Sequence, residues 1–180
     1  MTSAFRPVIR RFVDTDAPSF LAAVQASPEA LARWMPWWKA DYALADAQAW
    51  IDHTCKVWQE GKDRLFGIFD AGTGAVIGGT GINRIDPAHR TGNIGYWVST
   101  PCTKRGVARF AAREMARFGF SELGLTRLEI VALPGNAASI RVAEAVGAQR
   151  ECLARNRVWL GGQAHDALVF SLVPEDAARW

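Results

Sequence analysis

Residues 94–108 read IGYWVSTPCTKRGVA. Ile94-Gly95-Tyr96-Trp97-Val98 is rich in β-branched and aromatic residues and reads as the end of a strand. Arg105-Gly106-Val107-Ala108 opens a long amphipathic helix. A strand that passes through a basic, glycine-containing turn into a helix aims unpaired backbone N–H groups and the positive end of a helix dipole at one place. An anion, most often a phosphate, is the natural occupant. A second strand-to-helix junction follows at Pro134-Gly135-Asn136-Ala137-Ala138-Ser139. Two such junctions in this order imply a phosphorylated cofactor.

Working outward toward the N-terminus, Thr91–Val98, Ala75–Arg84 and Arg64–Phe69 read as strands joined by short turns, which predicts an antiparallel meander. Pro7–Val13 reads as a first strand. Asp14 or Asp16 can cap a helix carrying Phe20, Leu21 and Val24, Ser27-Pro28-Glu29 starts another, and Pro36 ends it. Trp50, Ile51, Thr54 and Trp58 recur at helical spacing between about Ala45 and Glu60. Toward the C-terminus, the helix from about Arg105 to Leu123 carries the stripe Val107, Phe110, Ala111, Met115 and Phe118, with Gly124 as its stop. Arg127–Leu133 is a strand and Asn136–Val146 a helix. Gln149–Leu153 and Ala164–Leu172 are the last strands, joined by a loop holding Gly161-Gly162. This order predicts a mixed α+β sheet with crossover helices, in one domain over residues 1–180.

The chain has 180 residues, 49% hydrophobic and 22% charged, with a formal net charge of +3. That length supports one domain with a sizeable core. The mild charge, with no basic block, argues against nucleic acid as the main ligand. No apolar run reaches the roughly 18 residues of a membrane span, and Met1–Arg11 lacks the apolar core of a signal peptide. The expected location is the cytoplasm. Cys55, Cys102 and Cys152 are odd in number and widely spaced, fitting neither a disulfide framework nor a zinc pattern. His53, His89 and His165 lack metal-ligand spacing, so no metal is expected. Trp34, Trp37 and Trp38 cluster around Pro36, either as packed core or as an aromatic wall beside a substrate.

These pieces, in their order, resemble the GNAT superfamily of acyl-CoA N-acetyltransferases, and within it the type that acetylates the N-termini of ribosomal proteins. The likeness extends through Gly147-Ala148-Gln149-Arg150-Glu151, Arg155 and His165-Asp166-Ala167, over roughly residues 8 to 173. It implies a mostly antiparallel central sheet, splayed at an acetyl-CoA site and flanked by helices. It implies that the backbone of Tyr96, Trp97 and Val98 holds the pantetheine arm like an added strand. The pyrophosphate would rest on amides between Lys104 and Ala108, in the turn Thr103, Lys104, Arg105, Gly106, Val107, Ala108, and Asn136 and Ser139 would line the thiol end. Two positions depart from the family pattern. Lys104 stands where the first turn glycine is usual, which costs about 1 kcal/mol if that position needs positive φ. Ala143 stands where many members carry a tyrosine acid, and the chain's tyrosines are Tyr42 and Tyr96.

The implied activity is direct acetyl transfer to a primary amine, through a tetrahedral intermediate, most naturally to a protein or peptide N-terminal α-amine. A backbone N–H near Val98 would meet the oxyanion. Ser139 is the acid candidate, or else a capping hydroxyl. Glu151 and Glu129 are the base candidates, or else partners of Arg150 and Arg127 in ion pairs. The resemblance also places Trp34, Trp37, Trp38 and Trp159 near the acceptor, and allows a homodimer. Three further readings stay open. One is an acyl-CoA-binding module with little catalysis. Another is an acyltransferase for a small amine or antibiotic, or one using succinyl-CoA with Arg33 or Lys39 on its carboxylate. The third is a ribosome- or RNA-surface protein using Lys104, Arg105 and Arg109.

Overall fold

The computed structural model describes residues 5–178 and 180. The chain runs β1 (Pro7–Arg10), α1 (Ala17–Gln25), α2 (Pro28–Trp34), α3 (Leu44–Gln59), β2 (Arg64–Asp70), β3 (Val76–Asp86), β4 (Thr91–Val98), α4 (Val107–Ser121), β5 (Arg127–Ala132), α5 (Ala137–Ala145), β6 (Gln149–Leu160), β7 (Gln163–Leu172) and α6 (Pro174–Ala177). The strands form one sheet in the order β1-β2-β3-β4-β5-β7-β6. Every neighbouring pair is antiparallel except β4 and β5, which are parallel.

The helices divide between the two faces of the sheet. Val107, Ala111, Ala112, Met115, Ala116 and Gly119 of α4 are buried. Ala112, Met115 and Ala116 pack with α5 over Ile82, Leu128, Ile130 and Phe170, and Val107 and Ala111 pack with Ile68 and Ile77. Gly119 permits the close approach, since a Cβ there would meet Leu128 Cδ1 at 2.8 Å and Ile82 Cδ1 at 2.9 Å. On the other face α1, α2 and α3 bury Phe20, Val24, Leu31 and Ile51 against Phe12, Phe69 and Trp97. In β5 the two-residue period is plain: Leu128, Ile130 and Ala132 are buried, while Arg127, Glu129 and Val131 are half-buried on the opposite face.

Two sequence expectations change. Asp16 precedes α1 but does not cap it. Its carboxylate instead accepts from both terminal nitrogens of Arg10 at 2.7 and 2.8 Å and from the Val13 N–H at 2.9 Å, and β1 stops at Arg10. The last hairpin is longer than its hydrophobic pattern suggested. β6 runs on through Arg155–Leu160, and the expected loop shrinks to Gly161-Gly162, at φ 60° and 79°. Both glycines adopt the left-handed geometry of a tight hairpin turn.

Candidate active site

The parallel pair β4 and β5 meets at three rungs, Thr91↔Arg127, Gly92↔Leu128 and Asn93↔Glu129, and then diverges. Beyond Asn93, the β4 backbone has no strand on that side. A cavity of about 810 Å³ fills the wedge and passes through the sheet. On the α4–α5 face it is lined by Tyr96, Val98, Gly106, Ala108, Asn136 and Ser139; on the α1–α3 face by Trp34, Trp37, Trp50, Trp97, Asn83 and Asn93.

The basic turn stands at the first mouth. Thr100–Cys102 is a 3₁₀ turn tied by the Thr103 hydroxyl to the Thr100 carbonyl at 2.8 Å. Lys104 and Gly106 both adopt left-handed backbone, at φ 60° and 79°, so the lysine carries the strain its position implied. The first intrahelical bond of α4 joins the Phe110 N–H to the Gly106 carbonyl at 2.9 Å. The amides of Val107, Ala108 and Arg109 therefore have no partner within the helix. Alternating backbone of this kind, feeding a helix N-terminus, makes an anion-binding nest. Thr103, Lys104, Gly106, Val107, Ala108 and Arg109 all line the cavity. Arg105 does not: its guanidinium lies 4.4 Å from the centre of the Phe5 ring. Cys102 lines the cavity, and burial pushes its thiol up, away from the thiolate form.

Inside the wedge, the Asn136 side chain caps α5 by accepting from the Ser139 N–H at 3.1 Å. The Tyr96 hydroxyl lies 3.0 Å from Ser139 Oγ and 3.2 Å from the Ser139 carbonyl. Burial pushes the Tyr96 phenol up to about 12, against the lowering influence of its Ser139 bond. Tyr96 therefore keeps its proton at neutral pH and stands as a donor beside Ser139. The sequence reading used only the backbone of Tyr96. The side-chain pairing, 43 residues apart in sequence, needs the fold to reveal it.

The second mouth is aromatic. Trp37 stacks on Trp50 at 6.1 Å and meets Trp97 edge-on at 5.9 Å. Trp34 reaches over Gly135, where a Cβ would lie 3.6 Å from its Cη2. Of the four tryptophans expected here, Trp34 and Trp37 line the cavity. Trp38 packs instead against the α1–α3 core. Trp159 lies within β6, is 69% exposed and does not line the cavity. Alternate residues of β6 face opposite ways, so Val158 lines the cavity and Trp159 points away from it.

Neither base candidate lines the cavity. Glu151 accepts from Arg127 at 2.6 and 2.7 Å and from the Ser171 hydroxyl at 2.7 Å. Chiefly the Arg127 bonds, then Ser171, hold its carboxyl down to about 2. A carboxylate so weakly basic, outside the cavity, has no geometric support as a general base. Glu129 is level with Asn93 and next but one to Val131, which lines the cavity, but Arg127 and Arg157 engage it at 3.0 and 3.1 Å. Among the described residues, no Asp, Glu or His lines the cavity; its charged groups are Lys104, Arg109 and Arg141. His165 and Asp166 brace the hairpin: His165 Nε2 is 3.0 Å from the Leu160 carbonyl, and Asp166 accepts from the Asn156 N–H at 2.9 Å.

Residues 6–149 match a family model described as Acetyltransferase (GNAT) domain. Among curated proteins, the chain is 31% identical over 103 residues to the "Putative ribosomal N-acetyltransferase YdaF" of Bacillus subtilis, a match spanning 57% of this chain and 56% of that protein. Among solved structures, it is similar to a "putative ribosomal-protein-serine acetyltransferase" of Vibrio cholerae, with 30% identity, 94% of each chain covered and a TM-score of 0.84. The ribosomal L7/L12 alpha-N-protein acetyltransferase RimL, solved with coenzyme A, shares the fold at 18% identity, 96% coverage of each chain and a TM-score of 0.84.

Proposed function

The chain belongs to the GNAT acetyltransferase family, and from that premise we propose that it transfers the acetyl group of acetyl-CoA to the N-terminal α-amine of a polypeptide, as the ribosomal-protein type does. The observation that carries this reading is the cavity that crosses the sheet, with an anion-binding turn at one mouth and an aromatic wall at the other. Two substrates entering from opposite faces meet where β4 and β5 part.

The residues present fit acetyl-CoA. Lys104, Gly106 and the amides of Val107 and Ala108 receive the pyrophosphate. The free edge of β4 from Tyr96 to Val98 receives the pantetheine amides. Asn136 and Ser139 border the thiol end. When bound, acetyl-CoA supplies an acyl thioester. A β4 N–H near Val98 stabilises the charge that develops on the acetyl oxygen. Tyr96 and Ser139, hydrogen-bonded to each other, would donate a proton to the departing sulfur and recover one from solvent. The amine sheds its proton to water, since among the described residues no carboxylate lines the cavity to take it.

The test is incubation of the purified protein with acetyl-CoA and matched acceptors: peptides with free N-termini, the same peptides N-blocked but carrying lysine, and small amines. Thiol release and acetylation confined to free peptide N-termini are expected. Acetylation of small amines alone moves the acceptor to that class. CoA binding without thiol release would replace the enzyme reading with an acyl-CoA-binding module.

A further inference from the structure

We propose that Asn83 selects the acceptor: its Nδ2 donates to the carbonyl oxygen of the acceptor's first residue, favouring an amine whose neighbouring carbon bears a carbonyl over a plain amine. This rests on the activity proposed above and narrows its substrate.

β3 and β4 face each other residue for residue from Gly78↔Val98 to Asn83↔Asn93, then lose register before Asp86↔Thr91. The bulge holds Arg84 at φ 52°, with its N–H on Asp63 Oδ1 at 3.1 Å. Bulges of this kind re-aim the side chains beside them. Asn83 and Asn93 thus stand opposite one another, and Asn93 Nδ2 donates to Asn83 Oδ1 at 2.9 Å. That bond occupies the oxygen of Asn83 and leaves its Nδ2 as the outward end. The nitrogen stands over Gly95, where a Cβ would be 3.5 Å away. Asn93 Oδ1 is buried and has no partner, an unfavourable state of the sort that gathers at functional sites.

Asn83, Asn93, Gly95 and Trp97 all line the cavity, the last three at alternate positions on one face of β4. The polar floor of the aromatic mouth is therefore a neutral N–H₂ donor. Such a donor attracts a carbonyl oxygen and offers nothing to an ammonium. It reaches from β3 over Gly95 of β4, two residues past Asn93, the last rung joining β4 and β5. A strand rises about 3.3 Å per residue, close to the span from an α-amine nitrogen to the carbonyl oxygen of its own residue. An acceptor whose carbonyl rests on Asn83 presents its amine at the split.

Trp34, Trp37 and Trp97 line the cavity and report peptide binding by fluorescence without turnover. With CoA-loaded protein, the Kd of a short peptide with a free serine N-terminus is compared with that of the same peptide carrying an (E)-alkene in place of its first amide. The wild type should prefer the amide by about tenfold. Asn83→Ala should lose that preference, and Asn83→Ser, which keeps a hydroxyl donor, should hold part of it. Equal affinities in the wild type, a preference intact in Asn83→Ala, or failure of the amide peptide to bind overturns the assignment. The wild-type comparison decides even if the variants do not fold. Acetyl transfer is scored separately: preference without transfer sinks the activity alone, and transfer without preference sinks the role of Asn83 alone.

Discussion

Replacing Tyr96 with phenylalanine removes one oxygen and nothing else, so it separates the structural from the chemical work of that hydroxyl. Structurally, it is held by Ser139 Oγ at 3.0 Å and by the Ser139 carbonyl at 3.2 Å. One net hydrogen bond is worth about 1 kcal/mol, which predicts a fall in Tm of about 2–4 °C for a chain of this size. Chemically, a hydrogen bond to a charged partner such as a leaving thiolate is worth about 1.5–3 kcal/mol, or roughly 10–150-fold in kcat. The KM for the peptide should stay within about twofold, because Tyr96 faces Ser139 and α5 rather than the tryptophan wall. Ser139→Ala should cost a similar factor, and the double variant little more than either alone, since the two hydroxyls act as one donor chain. The assay is thiol release from acetyl-CoA at saturating peptide, with melts recorded on the same preparations. A Tyr96→Phe protein within twofold of wild-type kcat, or effects of the two substitutions that multiply, would refute the pairing as the proton source.

Gly78→Ala would set a Cβ well inside contact with the Trp97 carbonyl oxygen and 3.2 Å from Val98 Cα. Urea melts should show a loss of at least about 2 kcal/mol, and a loss below half that value would mean that β3 and β4 yield more easily than their register implies. The Glu151 carboxyl sits near 2, below its ordinary 4.5, so its contribution to stability is full above the ordinary value and disappears as the pH falls toward 2. The side chain is 37% exposed, and solvent screening limits the contribution to about 1 kcal/mol. Wild-type and Glu151→Gln stabilities should differ by that amount at pH 7 and converge between pH 4.5 and 2, while kcat is retained. Lys104→Gly relieves left-handed strain but removes a cation from the anion nest. Calorimetry should show CoA binding weakened about fivefold with a shallower salt dependence, and tighter binding would show that strain outweighs charge.

The parts of this molecule written in local sequence were legible. The run from Ile94 through the basic turn to Ala108, the helix start at Asn136 and the stop at Gly124 each depend on neighbours within one or two turns of chain. β6 was cut short at Leu153 because its continuation, Ala154 to Arg157, is polar and includes Asn156 at φ 52°. Such a stretch reads as loop until β7 pairs with what lies beyond it. Trp159 alternates with Val158 on that strand and so turns away from the site. Glu151 was read beside Arg150, yet its partner is Arg127, brought in by the neighbouring strands. Tyr96 with Ser139 and Asn83 with Asn93 were invisible for the same reason: each contact is set by the strand register and helix placement rather than by spacing.

The seam between β4 and β5 gives the sheet an unusual mechanical character. Four strands on one side and three on the other are joined through three rungs, so the protein is two half-sheets with a slot between them. A ligand lying along β4 in that slot replaces missing rungs and becomes part of the load path. A ligand that binds only the folded form adds about 2.7 kcal/mol at a hundredfold excess over its Kd. On the proposed reading that ligand is the acyl donor, and the durability of the chain against unfolding and proteolysis would track its supply.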